Sequence, residues 1–124
     1  MATVELLTIS DAARAVGVSA HTLRYYERAG LMLDPVARTS ATHREYSDED
    51  LSWVTLLTRL RATGMPIRRV REYADLVRAG EGNERERLAL LEAHRDAVVE
   101  QLEQVQRSLA AIDTKIDLYR EKIS

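Results

Sequence analysis

His21, Thr22, Arg24, Tyr25 and Arg28 all fall within the stretch Ser19–Arg28. Leu23 and Tyr26 are spaced to face a core if this stretch is a helix. The other five side chains then occupy the outward face. They offer an imidazole, a hydroxyl, a phenol and two guanidinium forks, the groups that hydrogen-bond base edges and phosphate oxygens in a major groove. A helix face that only meets solvent would carry more Glu and Lys. Three further features have compatible chemistry. The polar run Arg38-Thr39-Ser40-Ala41-Thr42-His43-Arg44 carries Arg38, His43 and Arg44. Arg61 stands near the end of a later apolar stretch. The amide hydrogens around Met65-Pro66-Ile67 would open a helix and could seat a phosphate.

These residues need elements to hold them. Thr8–Ala13 reads as a short extended piece, then a cap at Ser10 or Asp11, then a helix with Ala12, Ala13 and Val16 on its apolar face. Gly17 is placed to end it in the left-handed region, and Ser19 to cap the next helix through about Arg28. Two short helices joined by a glycine turn suggest a helix-turn-helix, although an ordinary helical hairpin has the same outline. Leu31-Met32-Leu33 and Glu45-Tyr46 can form the arms of a hairpin with Arg38, His43 and Arg44 at its tip. Such a hairpin would be a phosphate-gripping wing, with a plain surface loop as the alternative. Ser47 and Asp50 begin a third helix as a near capping box, and Gly64 stops it. Pro66 is expected in the first turn of a fourth helix, which Gly80 ends.

Gly80-Glu81-Gly82-Asn83 separates two parts, a head over residues 1–80 and a coil over 83–124. From the linker to Ser124 there is no Gly or Pro. Leu88, Leu91, Val98, Leu102, Val105, Leu109, Ile112, Ile116, Tyr119 and Ile123 recur at alternating spacings of three and four, with Arg95 in the one charged seam position. This is a heptad seam that needs a second chain to bury it. Facing its own copy in a parallel pair, Arg95 would clash. An antiparallel pair is therefore expected.

Composition narrows the function classes. Net charge is −2, divided unevenly. Residues 1–78 hold 11 Arg, no Lys and 10 acids, a balance of +1, while residues 79–124 hold 7 basic and 10 acidic residues, a balance of −3. The absence of cysteine excludes disulfides and thiolate metal sites. His21, His43 and His94 do not cluster in sequence, and no metal or cofactor is expected. No nucleophile–base or paired-carboxylate constellation indicates an enzyme. There is neither a secretory leader nor an apolar run of about 20 residues, which suggests the cytoplasm and no membrane association. A coiled-coil adaptor would instead present an apolar helix face.

Leu23-Arg24-Tyr25-Tyr26-Glu27-Arg28-Ala29-Gly30-Leu31 resembles the MerR family of bacterial transcription regulators. The likeness continues through Arg44-Glu45-Tyr46-Ser47, Asp50-Leu51 and Leu60-Arg61-Ala62-Thr63-Gly64-Met65-Pro66-Ile67. It implies a mainly α fold: a winged helix-turn-helix and a long antiparallel dimerisation helix. A homodimer would bind a palindromic promoter site on double-stranded DNA, beside RNA polymerase. By position the resemblance assigns DNA contacts to His21, Arg24, Tyr25 and Tyr26, to Arg38, His43 and Arg44 on the wing, and to Arg61, Pro66 and Ile67 at the backbone. Two departures stand out. Ala41-Thr42 replaces the Asn-Gly common at the wing turn, implying a looser wing. No effector domain is expected after the coil, and the family's cysteine sensors have no counterpart among these residues. A small-molecule effector could still enter between head and coil near Trp53, Tyr73 and His94, unless these are ordinary core and surface residues.

Overall fold

The computed structural model describes residues 6–33, 37–38 and 44–124. Among these the chain runs β1 (Leu7–Thr8), α1 (Ile9–Val16), α2 (Ala20–Arg28), β2 (Ala37–Arg38), β3 (Arg44–Tyr46), α3 (Asp48–Ala62), α4 (Ile67–Arg78) and α5 (Glu84–Ile123). The architecture is mainly helical with one small antiparallel sheet in the order β1-β3-β2. The chain divides into two compact units, residues 1–87 and 88–124. The division lies inside α5, later than the linker at residues 80–83 and the boundary expected there.

Thr8 joins sheet to helix. It pairs with Glu45 as the last residue of β1, and its Oγ1 accepts the amide hydrogen of Asp11 at 3.2 Å. The cap of α1 is therefore Thr8, not Ser10 or Asp11, and the helix starts at Ile9. The reason is register. Thr8 has the extended backbone a cap requires (φ −66°, ψ 163°), whereas Ser10 and Asp11 already lie in the first turn. Gly17 ends α1 with φ 82°, which an L side chain would resist. Ser19 caps α2 as expected, accepting from the Thr22 amide at 3.0 Å.

The wing also differs from expectation. The strand paired with β3 is Ala37–Arg38, not Leu31–Leu33. Leu31 and Met32 are buried in the core instead, and their carbonyls accept hydrogen bonds from helix side chains. Arg38 and Arg44 are register partners, the last described pair before residues 39–43. His43 and the Ala41-Thr42 turn lie outside the described residues.

Helix α3 begins with a complete capping box: Ser47 Oγ accepts from the Asp50 amide at 3.2 Å, and Asp50 Oδ2 accepts from the Ser47 amide at 3.0 Å. Its Val54 and Leu57 are fully buried against α1 and β3, and Val70 and Ala74 bring α4 onto α3. Pro66 stands one position earlier than expected. It is the N-cap of α4, not a first-turn residue, since its ψ of 147° is extended. Asn83 closes the linker by donating from Nδ2 to the Leu76 carbonyl at 2.8 Å. Glu84 accepts from the Gly82 amide, and bonds to the amides of Glu84 and Gly82 hold its carboxyl below the ordinary range.

In the second unit α5 buries none of its side chains. Leu102, Val105, Leu109 and Ile112 are each more than half exposed. A continuous apolar stripe of this kind is the mark of a helix made to be covered.

Removing the Thr8 hydroxyl (Thr8→Ala) should cost about 1 kcal/mol of stability, while Ser10→Ala should stay within a few tenths. Chemical denaturation of the two variants separates them. Equal losses would return the cap to Ser10.

Candidate nucleic-acid interface

Helix α2 presents the chemistry expected of it. His21, Arg24 and Arg28 are exposed, and Tyr25 is 41% exposed, unusual for a ring of that size. Thr22 is half-buried and bonded through Oγ1 to Ser19 Oγ at 3.0 Å, so its hydroxyl first serves the cap. Tyr26 is only 5% exposed. It belongs to the core beneath the face, with its ring 6.1 Å from that of Tyr25. Leu23 is likewise buried. One helix thus places two large side chains inward and a row of donors outward.

The exit from α2 is held by side chains from two other helices. Trp53 Nε1 donates to the Leu31 carbonyl at 2.7 Å. Arg78 Nη1 donates to the carbonyls of Gly30 at 2.8 Å and Met32 at 2.7 Å. Asp75 pairs with the other arm of the Arg78 guanidinium. Arg71 reaches the Ala29 carbonyl at 3.5 Å, at the edge of hydrogen-bond range. The carbonyls of Tyr25, Tyr26 and Glu27 at the end of α2 accept from the amides of Ala29, Leu31 and Gly30, so the bonds from α3 and α4 fall on the segment just beyond the helix and tie that segment down. Sequence reasoning missed Arg78, because a contact 46 residues distant leaves no local pattern.

The second anion-binding feature is the start of α4. Pro66 supplies no side-chain cap, and no acid occupies the first turn. Arg68 and Arg69 stand there instead, although Arg69 is paired with Glu72 at 2.8 Å. Cations at the positive end of a helix oppose its dipole, so the arrangement suits an anion from outside. Arg61 is exposed as a residue, but its Nη1 donates to the Met65 carbonyl at 2.8 Å. It therefore closes the α3–α4 turn and keeps its remaining donors available for a phosphate. Ile67 is half-buried behind Pro66.

Trp53 and Tyr73 lie together, their rings stacked at 5.7 Å with an interplanar angle of 16°. His94 belongs to the second unit. Among the described residues no group of His, Asp or Glu could hold a metal ion, and no helix is long and apolar enough to cross a membrane.

A helix-turn-helix with an outward row of donors, a paired-strand wing beside it and a long helix after it defines a winged helix-turn-helix regulator. Residues 7–76 match the family described as MerR HTH family regulatory protein, and residues 51–115 match that described as MerR, DNA binding. The chain is 34% identical to an uncharacterised HTH-type transcriptional regulator of Haemophilus influenzae, covering 92% of this chain and 84% of that one. It is also 34% identical to the HTH-type transcriptional regulator AdhR of Bacillus subtilis, over 76% of this chain and 66% of that one. In structure it is similar to HiNmlR, a MerR family regulator lacking the sensor domain, crystallised bound to promoter DNA (TM-score 0.88, 33% identity, 94% of this chain and 87% of that one). A MerR family protein of Listeria monocytogenes gives a TM-score of 0.83 at 36% identity, covering 91% and 85%. This chain belongs to the MerR family of helix-turn-helix transcription regulators; its relatives are regulators and not enzymes.

Arg78→Ala should lower stability by about 1–3 kcal/mol, since two carbonyls lose a charged donor. Arg78→Lys should recover little of that, because an ammonium lacks the fork that spans both carbonyls. Chemical denaturation of the two variants is the measurement. Wild-type stability in both would show that the exit of α2 is held by other means.

Proposed function

We propose that the protein is a homodimer that binds a palindromic promoter site on double-stranded DNA and regulates transcription there, in the cytoplasm and beside RNA polymerase. The outer face of α2 carries the reading: His21, Arg24, Tyr25 and Arg28 stand in one exposed row above a packed core. In this reading α2 enters the major groove, with Arg24 and His21 toward base edges and Tyr25 and Thr22 against base or sugar–phosphate. Tyr26 supports Tyr25 from beneath. Arg38, His43 and Arg44 grip phosphates from the wing. The start of α4 at Pro66 and Ile67, with Arg61 behind it, takes a backbone phosphate. The acidic net charge is no obstacle, because the positive balance lies in residues 1–78.

The dimer is an antiparallel coil of α5 with its two-fold axis near Arg107. Leu91 then meets the partner's Ile123, Val98 the partner's Ile116, Leu102 the partner's Ile112, and Val105 the partner's Leu109. Arg95 falls against the partner's Tyr119, the one aromatic of the seam, and gains about 0.5–2 kcal/mol from guanidinium–ring contact instead of facing its own copy. The partner's Asp117 and Glu121 stand within reach of its charge. A shift by one heptad would place Arg95 against the partner's Ile112 and lose this match.

Arg24→Ala should weaken binding to the selected site by about 1–3 kcal/mol with an unchanged circular dichroism spectrum. Binding-site selection from random duplexes followed by titration measures it. Wild-type affinity would remove α2 from the role of reader.

The coil is tested with a spin label at Glu121→Cys, the only thiol in an otherwise cysteine-free chain. In the antiparallel register the two labels sit about 40 Å apart along the coil, against about 50 Å for the one-heptad slip, at 1.5 Å of rise per residue. Labels side by side would mean a parallel pair.

A further inference from the structure

Beside the Trp53–Tyr73 stack the first unit opens a groove of about 580 Å³, within the range of small-molecule sites. Its walls are apolar: Leu33, Leu56 and Val77 are each half-exposed there, and the two rings form the back. Asp48 and Glu49, exposed in the first turn of α3, also line it, as does Arg87. The Arg87 guanidinium is already committed. Nε donates to Asn83 Oδ1 at 2.5 Å, Nη2 donates to the Gly80 carbonyl, and the Glu84 carboxylate lies within its field. The groove therefore offers a guest two carboxylates and two aromatic rings, while its one cation is turned to its own linker.

We propose that this groove binds a small amphipathic cation, an alkyl or arylalkyl ammonium or amidinium, with its apolar body between Leu33, Leu56 and Val77 and its charge toward Asp48 and Glu49. Aromatic rings and carboxylates together favour a cation over an anion or a neutral molecule of the same shape. Trp53 links the site to DNA reading: the indole that lines the groove also donates to the Leu31 carbonyl at the exit of α2. A guest that shifts the ring must alter that hydrogen bond, and with it the direction of α2. This second step, from groove to affinity, rests on α2 being the DNA reader; binding to the groove does not.

Trp53 is the only tryptophan, so intrinsic fluorescence of the full chain reports on the groove directly. The protein is titrated with 2-phenylethylammonium, with 3-phenylpropionate and with 2-phenylethanol, and its affinity for a selected duplex is measured with and without the ammonium probe. The ammonium should give a saturable change at a concentration roughly tenfold below the carboxylate. The variant pair Asp48→Asn and Glu49→Gln, verified as folded by circular dichroism, should abolish that preference. Equal half-saturation for ammonium and carboxylate, or a linear response to all three probes, overturns the site. So does emission that follows protein dilution but not the probes, since a second copy would then cover the groove. Saturable fluorescence with unchanged duplex affinity overturns the link through Trp53. Failure to bind any duplex without a probe would count against the DNA-reading role and leave the fluorescence test of the groove standing.

Discussion

The position of the recognition helix depends on the carbonyls just beyond it. Gly30, Leu31 and Met32 each have their carbonyl taken by a side chain from α3 or α4, through Arg78 and Trp53. A helix of nine residues has too few internal bonds to be stable alone. It also buries only Leu23 and Tyr26. Packing fixes which face points outward, and these side-chain bonds fix where the C-terminal end sits. The same bonds explain why residues 31 and 32 are core and not strand. Their backbone acceptors are already occupied, and strand pairing has to start later, at Ala37.

Two of the helix starts in the head, those of α3 and α4, have opposite chemistry. Helix α3 opens with three acids and a closed capping box, every feature favouring the helix itself. Helix α4 opens with Pro66, no cap and two arginines, features that each give up some helix stability. Ser47 and Asp50 close the α3 start with their own side chains. A helix start with no side-chain cap, and with arginines in its first turn of which Arg69 is paired with Glu72, has amide hydrogens that suit an external anion. The α4 start thus complements the α2 face, one offering backbone amides and the other side-chain donors.

The order of helices was legible because it rests on local signals: Gly17, Gly64 and Gly80 as stops, Ser19 and Ser47 as caps, and a 3.6-residue apolar period between them. The outward row of α2 was legible for the same reason, since fixing Leu23 and Tyr26 inward leaves few choices for the rest. At Tyr26 the helical period points to the core and the family resemblance to a DNA contact, and its burial agrees with the period. The errors lie where a tertiary contact replaces a local one. Thr8 is the cap because β1 ends there, and β1 exists only through pairing with β3, far along the chain. The wing's first arm is not legible, because Leu31 and Met32 look as much like strand as like core. Arg78 carried no signal, being one more arginine on an exposed helix face until its partners 46 and 48 residues upstream are known.

Charge and length together explain why the reading part and the pairing part are kept distinct. Residues 79–124 carry a balance of −3 and residues 1–78 a balance of +1. An acidic coil does not compete for phosphate, so the approach of the duplex is directed to the arginine-bearing head. The exposed stripe of α5 demands a partner for purely apolar reasons and makes no claim on the head's polar face. With two such heads joined, the second binds at the high effective concentration set by the coil, and each need hold its half-site only weakly. A head of this size offers a modest contact area and a few arginines, too little for tight specific binding alone. On the dimeric reading, affinity is therefore built by pairing, and the hydrophobic seam of α5 is as much a determinant of DNA binding as the donors on α2.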